Sequence, residues 1–425
     1  MSAWSRTVRD FYRSSRVQNR MQDLAFRIRY VRRKGFAWIV GRLCSRGAGL
    51  LAWLVLLPVT LVLHVAGFRH VPVFTERIGH LALEPDCLLK EQALGRLPRR
   101  RWILLSPRGQ TANEHLLAYW RRDFRVIRNE AACFLIRNMS GGGLMRQDVS
   151  HYVRALGKTQ FAYRVYTDWG ERAPLLRLSD EDKSWGEDLL ERMGMPRGAW
   201  FACVHAREAG YSPVDEEIHS YRNGRIENTF PAMREIVRRG GWVVRLGDPT
   251  MRPLPHMPQV IDYALHPLKS DRLDVFLCAQ ARFTLGNTSG IAFLSSAFGV
   301  PCALANMIPV ATMGFGPRDI SIPKRLWSEG RGRYLTMEEI LASDVANYQY
   351  ARQYAAAGLR PDENSAEDIQ ALAIEMLDAL DPGRRDGGVR DPRAERIRAL
   401  FNDEHFAYGA SSRISRSFLR NHPEL

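Results

Sequence analysis

The chain is poor in paired cysteines. Its six (Cys44, Cys87, Cys133, Cys203, Cys278 and Cys302) lie far apart, and no C-x-x-C pair occurs. That excludes a disulfide scaffold and a cysteine-built zinc module, and it fits a reducing compartment. The sequence has no H-E-x-x-H run, Walker loop or G-x-S-x-G elbow, which removes the signatures of zinc peptidases, P-loop NTPases and α/β-hydrolases. Internal repeats and low-complexity tracts are missing too, so solenoid arrays are excluded. Acid is scarce: 46 Asp and Glu face 61 Lys and Arg, a formal net charge of +15. The 425 residues are 45% hydrophobic and 25% charged. That balance excludes wholesale disorder and suits two or three domains.

The shortage of acid is sharpest at the N-terminus. Residues 1–46 hold twelve Lys or Arg against only Asp10 and Asp23. Gly47 to Phe68 then runs for 22 residues without a formal charge, and about 20 such residues cross the roughly 30 Å of bilayer hydrocarbon. The positive-inside bias would hold the basic flank in the cytoplasm. Pro58 removes a backbone donor in mid-run and bends a helix, so a re-entrant insertion competes with a full crossing. The basic lead is too long for a signal peptide. Cations beside an apolar run suit an anionic membrane surface, at about 1 kcal/mol for each cation near anionic lipid. No nucleic-acid reader motif accompanies them, so nucleic acid is not expected as a partner. The expected location is the cytoplasmic face of an inner membrane, whether peripheral, re-entrant or single-pass.

From residue 71 short apolar runs alternate with amphipathic stretches, the pattern of an α/β protein with parallel sheets. In a first lobe, 71–178, Val71–Phe74 and Trp102–Ser106 read as strands. Arg77–His80 reads as a loop and Leu81–Glu91 as a helix. In a second lobe, 179–345, Ser179 caps a helix whose first turn holds Asp180, Glu181 and Asp182; capping explains that acidic run better than metal binding does. Strands at Ala199–His205, Trp242–Leu246, Gln259–Asp262, Arg282–Leu285 and Pro301–Leu304 alternate with helices, predicting a doubly wound domain with ligand loops at the strand C-termini. Helices and a polar tail occupy 346–425.

Three of those loops are candidates for chemistry. Gly286-Asn287-Thr288-Ser289-Gly290 joins a strand to a helix start, where backbone N–H groups attract anions and glycine admits a phosphate closely. A plain turn capped by Ser289 is the alternative. His205 and Arg207 leave the end of the lobe's first strand, and a guanidinium grips phosphate bidentately. Arg245 and Gly247 stand at another strand end. Two arginines and a Ser-Gly helix start on one domain edge point to a phosphate-bearing ligand.

The pieces RIGHLAL (Arg77–Leu83), VHAREAGY (Val204–Tyr211), YRNGRIENTFPA (Tyr221–Ala232), GGWVVRLGD (Gly240–Asp248), VIDYA (Val260–Ala264), KSDRLDVFLCAQARFTLGNTSG (Lys269–Gly290) and GVP (Gly299–Pro301) occur in that order. Together they resemble a family of bacterial glycosyltransferases associated with surface polysaccharides. More distantly, His205-x-Arg207 is similar to the H-x-R element of fucosyltransferases with two facing Rossmann domains, although Glu208 and Ala209 replace that element's following Arg and Asp. The resemblance implies a GT-B-like fold, with an acceptor domain over 71–178 and a nucleotide-sugar domain over 179–345, behind the basic segment 1–46 and a hydrophobic segment 47–70. It implies that Arg207 clamps the donor diphosphate, with Ser289 and Gly290 as a second phosphate contact.

On this reading, Arg207, Arg245 and the Ser289-Gly290 helix start stabilise a departing nucleoside diphosphate without a metal or other cofactor. His205, Gly247, Asn287 and Thr288 complete the rim. Asp262 and Asp274 contribute to nucleotide binding. His80, at the first strand-to-helix turn, is the candidate base for an acceptor hydroxyl, the acceptor being a glycan or glycolipid. A non-catalytic membrane-associated sugar- or nucleotide-binding protein is the alternative.

Overall fold

The structure is a computed structural model that describes residues 49, 53–153, 159–210, 216, 218–383 and 391–425. The basic segment 1–46 and part of the uncharged run after it lie outside the described residues. In chain order the first half runs α1 (53–65), β1 (Phe68–Val71), α2 (Ile78–Ala93), β2 (Arg101–Leu105), α3 (Glu114–Trp120), β3 (Phe124–Ile127), α4 (Glu130–Ser140) and α5 (Phe161–Trp169). The second half runs α6 (Asp180–Arg192), β4 (Phe201–Val204), α7 (Phe230–Arg238), β5 (Trp242–Arg245), β6 (Val260–Ile261), α8 (Asp271–Gln280), β7 (Thr284–Gly286), α9 (Gly290–Ala297) and β8 (Cys302–Met307). It continues with β9 (Ile320–Pro323), β10 (Arg325–Ser328), β11 (Arg333–Tyr334), β12 (Leu359–Asp362), α10 (Ala366–Leu380) and β13 (Arg413–Ile414).

The chain divides into two compact units. Of the described residues, the first takes those up to 72, 100–109 and 123–148. Its three strands form a parallel sheet in the order β1-β2-β3. Leu56 and Leu63 of α1 join Ile136 of α4 over a small core of Ile103, Leu105, Cys133, Met139 and Met145. Among the described residues no helix is long and apolar enough to cross a membrane.

Of the described residues, the second unit takes 73–99, 110–122 and those from 149 onward. Its main sheet has seven strands in the order β13-β9-β8-β7-β4-β5-β6, every neighbouring pair parallel. β4 (FACV) and β8 (CALANM) are buried at every residue, as expected of strands covered on both faces. The chain winds outward from β4 through β5 to β6, then returns to the other side for β7, β8 and β9. The direction therefore reverses between β4 and β7, and in open parallel sheets ligands bind outside the strand C-termini at that reversal. A separate antiparallel sheet, β11-β10-β12, follows the main one.

The doubly wound domain matches the sequence expectation, and so does the capped start of α6: Ser179 accepts the amide of Asp182. Two local expectations fail. The first strand is Phe68–Val71 rather than Val71–Phe74, and Arg77–His80 is not a loop, because α2 already begins at Ile78. The helix also runs through Pro85, which has no N–H to give the carbonyl of Leu81 four residues back. Trp120 supplies the missing donor: its indole Nε1 donates to Leu81 O at 2.8 Å.

Candidate functional site

Residues from the ends of β4, β5 and β7 meet where the winding reverses. His205 follows β4, its amide donating to Leu285 O of the adjacent β7. Its ring is buried and donates from Nδ1 to Leu246 O at 3.1 Å. Burial, above all, lowers its pKa to about 4. His205 therefore stands neutral at the rim and offers only a ring nitrogen, not a charge.

Arg207 is the next side chain to turn outward. Its Nη1 donates to the side chain of Asn223 and to His219 O at 3.3 Å, and lies 3.7 Å from Glu216. Segment 219–224 that receives it is stapled on all sides. Gly224 N donates to Arg207 O, Lys324 Nζ donates to Asn223 O at 2.7 Å, and a methyl on Gly224 would lie 2.9 Å from Asn306 Nδ2. The same segment delivers Arg222, whose Nη2 donates to Thr288 O, while Asn287 Nδ2 donates back to Arg222 O at 3.3 Å. Arg207 and the Asn287–Gly290 loop are thus brought together through residues 222 and 223. Sequence reasoning missed Arg222; the paired arginines around Asn223-Gly224 in YRNGR were the available signal.

Within the loop the side chains divide the work. Thr288 Oγ1 is spent on the backbone of Ile308, which anchors the turn. Ser289 precedes α9 with extended backbone but makes no capping bond. Its Oγ and the Oδ1 of Asn287 are buried with no hydrogen-bond partner among the described residues. Leaving such atoms unmet costs about 1–3 kcal/mol each, a cost that a bound polar ligand removes.

A second helix start lies against the first. A methyl on Gly290 would fall 2.9 Å from Gly79 N, and one on Gly79 would fall 3.0 Å from Gly290 Cα. The N-terminal turns of α2 and α9 therefore touch. Neither carries an acidic residue in its first turn, whereas α6, α8 and α10 all do. The positive ends of two helices are left uncompensated at one point, the condition that favours an external anion. His80 is the residue after Gly79. Its Nδ1 donates to Glu84 Oε1 at 2.8 Å, which leaves Nε2 as the basic nitrogen.

Four expected ligands, Arg245, Asp262, Asp274 and Gly247, are engaged within the protein. Arg245 is fully buried and gives its guanidinium to Asp262 at 2.8 Å, Glu208 at 3.5 Å and Arg252 O at 3.0 Å. Asp262 also accepts Leu254 N, so this pair braces the loop after β5 instead of facing outward. Asp274 is tied to Lys269 at 2.8 Å. Gly247 sits against Met251 in the same brace, where a side chain would collide with the sulfur. Among the described residues no three His, Cys, Asp or Glu side chains gather as a metal-holding group. A cavity of 1090 Å³ is lined by Pro301, Arg318 and Asp319 before β8 and β9, at the other end of these strands.

No family model and no curated protein sequence matches the chain. Compared as structures, it is similar to a family 9 glycosyl transferase from Veillonella parvula, at 11% identity and a TM-score of 0.36, over 56% of this chain and 80% of that one. It is similar to the ADP-heptose lps heptosyltransferase II of E. coli, at 13% identity and a TM-score of 0.39, over 73% of this chain and all of that one. It is also similar to the iron-containing heptosyltransferase TibC in complex with ADP-D-beta-D-heptose, at 11% identity and a TM-score of 0.40, over 74% and 77%. All three are distant likenesses.

Proposed function

We propose that this chain is a GT-B-like glycosyltransferase. It moves a sugar from a nucleotide-sugar donor to a lipid-linked or surface-glycan acceptor at the cytoplasmic face of a membrane, without a metal. The observation that carries this reading is the convergence of two acid-free helix starts, at Gly79 and Gly290, with the unmet Ser289 Oγ and Asn287 Oδ1 and with Arg207 and Arg222 bound into the neighbouring segment.

In the reaction His80 Nε2 takes the proton of the acceptor hydroxyl, whose oxygen forms the new bond to the anomeric carbon. The bond from that carbon to the β-phosphate oxygen breaks, and its electron pair leaves with the nucleoside diphosphate. The amide groups at the two helix starts and the guanidinium of Arg207 offset the charge that grows there. Such groups act strongly because they are already in place before reaction. Arg245 supports this rim by bracing the loop after β5 and does not touch the donor.

Titration calorimetry with ADP, UDP, GDP and CMP, on the natural chain and on Arg207→Ala, tests the reading. Binding of one nucleoside diphosphate, weakened about tenfold or more by the substitution, is expected from loss of a charged hydrogen bond worth about 1.5–3 kcal/mol. Equal affinity in both proteins, or no binding of ADP, UDP or GDP, overturns it.

A further inference from the structure

We infer that α1 is a monotopic membrane contact, lying along a bilayer surface with one side in the hydrocarbon and the other on its own sheet. Leu54, Val55, Val59, Leu61, Val62 and Val65 are exposed, Val55 by 77% and Val65 by 84%. At 3.6 residues per turn they cover ~160° of the helix. No residue from 53 to 65 carries a formal charge. A water-facing surface helix has its polar residues on this side; here the side is wholly aliphatic.

The opposite side settles how lipid can reach the helix. Leu56 and Leu63 pack into the core of the first unit, and Thr60 is completely buried. Its hydroxyl returns to Leu56 O at 2.8 Å. Two residues after the helix the chain enters β1, and Gly67 O accepts Arg101 N at the start of β2. A helix fixed to a sheet along one side is reachable by lipid from the other side only.

Charge selects the occupant. Residues 53–72 and 100–109 contain Arg69, Arg100, Arg101 and Arg108 and no acid, and the twelve cations of residues 1–46 precede them in sequence. Arg69 folds back on the helix end, donating to His64 O and Phe68 O. A second copy related by twofold symmetry would set these cations against their own kind, whereas anionic headgroups complement them. The inference fixes the mode of the membrane placement proposed above and does not depend on catalysis.

The test uses the full chain and vesicles of phosphatidylglycerol and phosphatidylcholine. The natural protein is expected to float with the vesicles. Val55→Asp with Val62→Asp is expected to lower the bound fraction at least tenfold without moving the urea midpoint, since both sites are exposed. Fluorophores on Val55→Cys and Val62→Cys, each in a Cys44→Ser background, are expected to be quenched at equal depth by brominated acyl chains. A depth difference near the ~10 Å that seven residues rise overturns the inference in favour of an upright helix. Absence of flotation, or a dimer in solution that the paired aspartates dissolve, overturns it as well. Flotation with no nucleotide binding rejects the catalytic reading and leaves this one standing, and nucleotide binding without flotation does the reverse.

Discussion

Gly79 and Gly290 meet at the N-terminal turns of two helices, close enough that neither position has space for a methyl group. A methyl on Gly290 would stand 2.7 Å from Ile78 Cγ2 and 2.9 Å from Gly79 N; on Gly79 it would stand 2.8 Å from the Phe293 ring. One of the obstacles is backbone, which cannot swing aside as a side-chain tip can. Both glycines therefore answer to contact, and neither has a positive φ.

Gly290→Ala is accordingly expected to destabilise the protein by about 1–3 kcal/mol, the usual cost of overpacking. The shift should appear in the urea midpoint with the denaturant slope unchanged. Because the substitution also pushes apart the two helix starts, nucleoside diphosphate binding should weaken in the folded protein. An unchanged midpoint together with unchanged affinity would mean that the helices are not in contact.

Pro85 and Trp120 form a second linked pair. Trp120→Phe keeps most of the ring but removes the donor to Leu81 O, leaving a buried carbonyl unmet at a cost of about 1–3 kcal/mol. Pro85→Ala restores a backbone donor to that same carbonyl. The cost of Trp120→Phe should therefore shrink in the Pro85→Ala background, a coupling readable from a double-mutant cycle in urea. Additive effects would show that the indole bond does not replace the missing amide.

The sequence revealed the second unit far better than the site inside it. Buried parallel strands announce themselves as unbroken apolar runs, and the helices between them carry Ser179 and Ser270 as caps with acids after each. The start of α2 has no such signal: Arg77 makes no side-chain cap, the first turn has no acid, and Pro85 sits inside. Those missing features are the ones that leave its positive end available, so the local pattern fails where the candidate site lies. Arg245 misled for another reason. A strand-end arginine looks alike in sequence whether it faces solvent or a buried carboxylate, and its partners, Glu208 and Asp262, lie 37 and 17 residues away. β13 was illegible because it is only two residues long and pairs with β9 from the tail.

His205 makes stability depend on acid in a defined direction. Its folded pKa is lowered to about 4, chiefly by burial, against an ordinary value near 6.5. Between those values the unfolded chain binds more protons than the folded one, so stability rises with pH across the window. The contribution is fully present above about pH 6.5 and lost as pH falls toward 4, on the order of 3 kcal/mol in all at 1.36 kcal/mol for each pKa unit. His205→Gln lacks it. The stability difference between the natural protein and the variant should therefore grow by that order from pH 4 to pH 7 in urea titrations. A difference independent of pH would show that His205 has the same pKa in the folded and unfolded chain.

Glu84 should act on the reaction only through His80. It is 1% exposed; one carboxylate oxygen receives His80 Nδ1, and the other is buried without a partner among the described residues. A carboxylate placed this way fixes the tautomer that leaves Nε2 basic and stabilises the imidazolium formed when a proton arrives, the role of the aspartate in a serine protease triad. If His80 is the base, His80→Ala should lower kcat about 10²–10⁴-fold with the donor KM little changed. Glu84→Ala should lower kcat by less, because the imidazole remains, and Glu84→Gln should recover part of the loss by keeping an acceptor for Nδ1–H. The decisive comparison is the double variant: with His80 already absent, removing Glu84 should cost kcat nothing further. A separate loss on top of His80→Ala would mean that Glu84 supports the fold or the donor site directly, and His80 would no longer be the group through which it works.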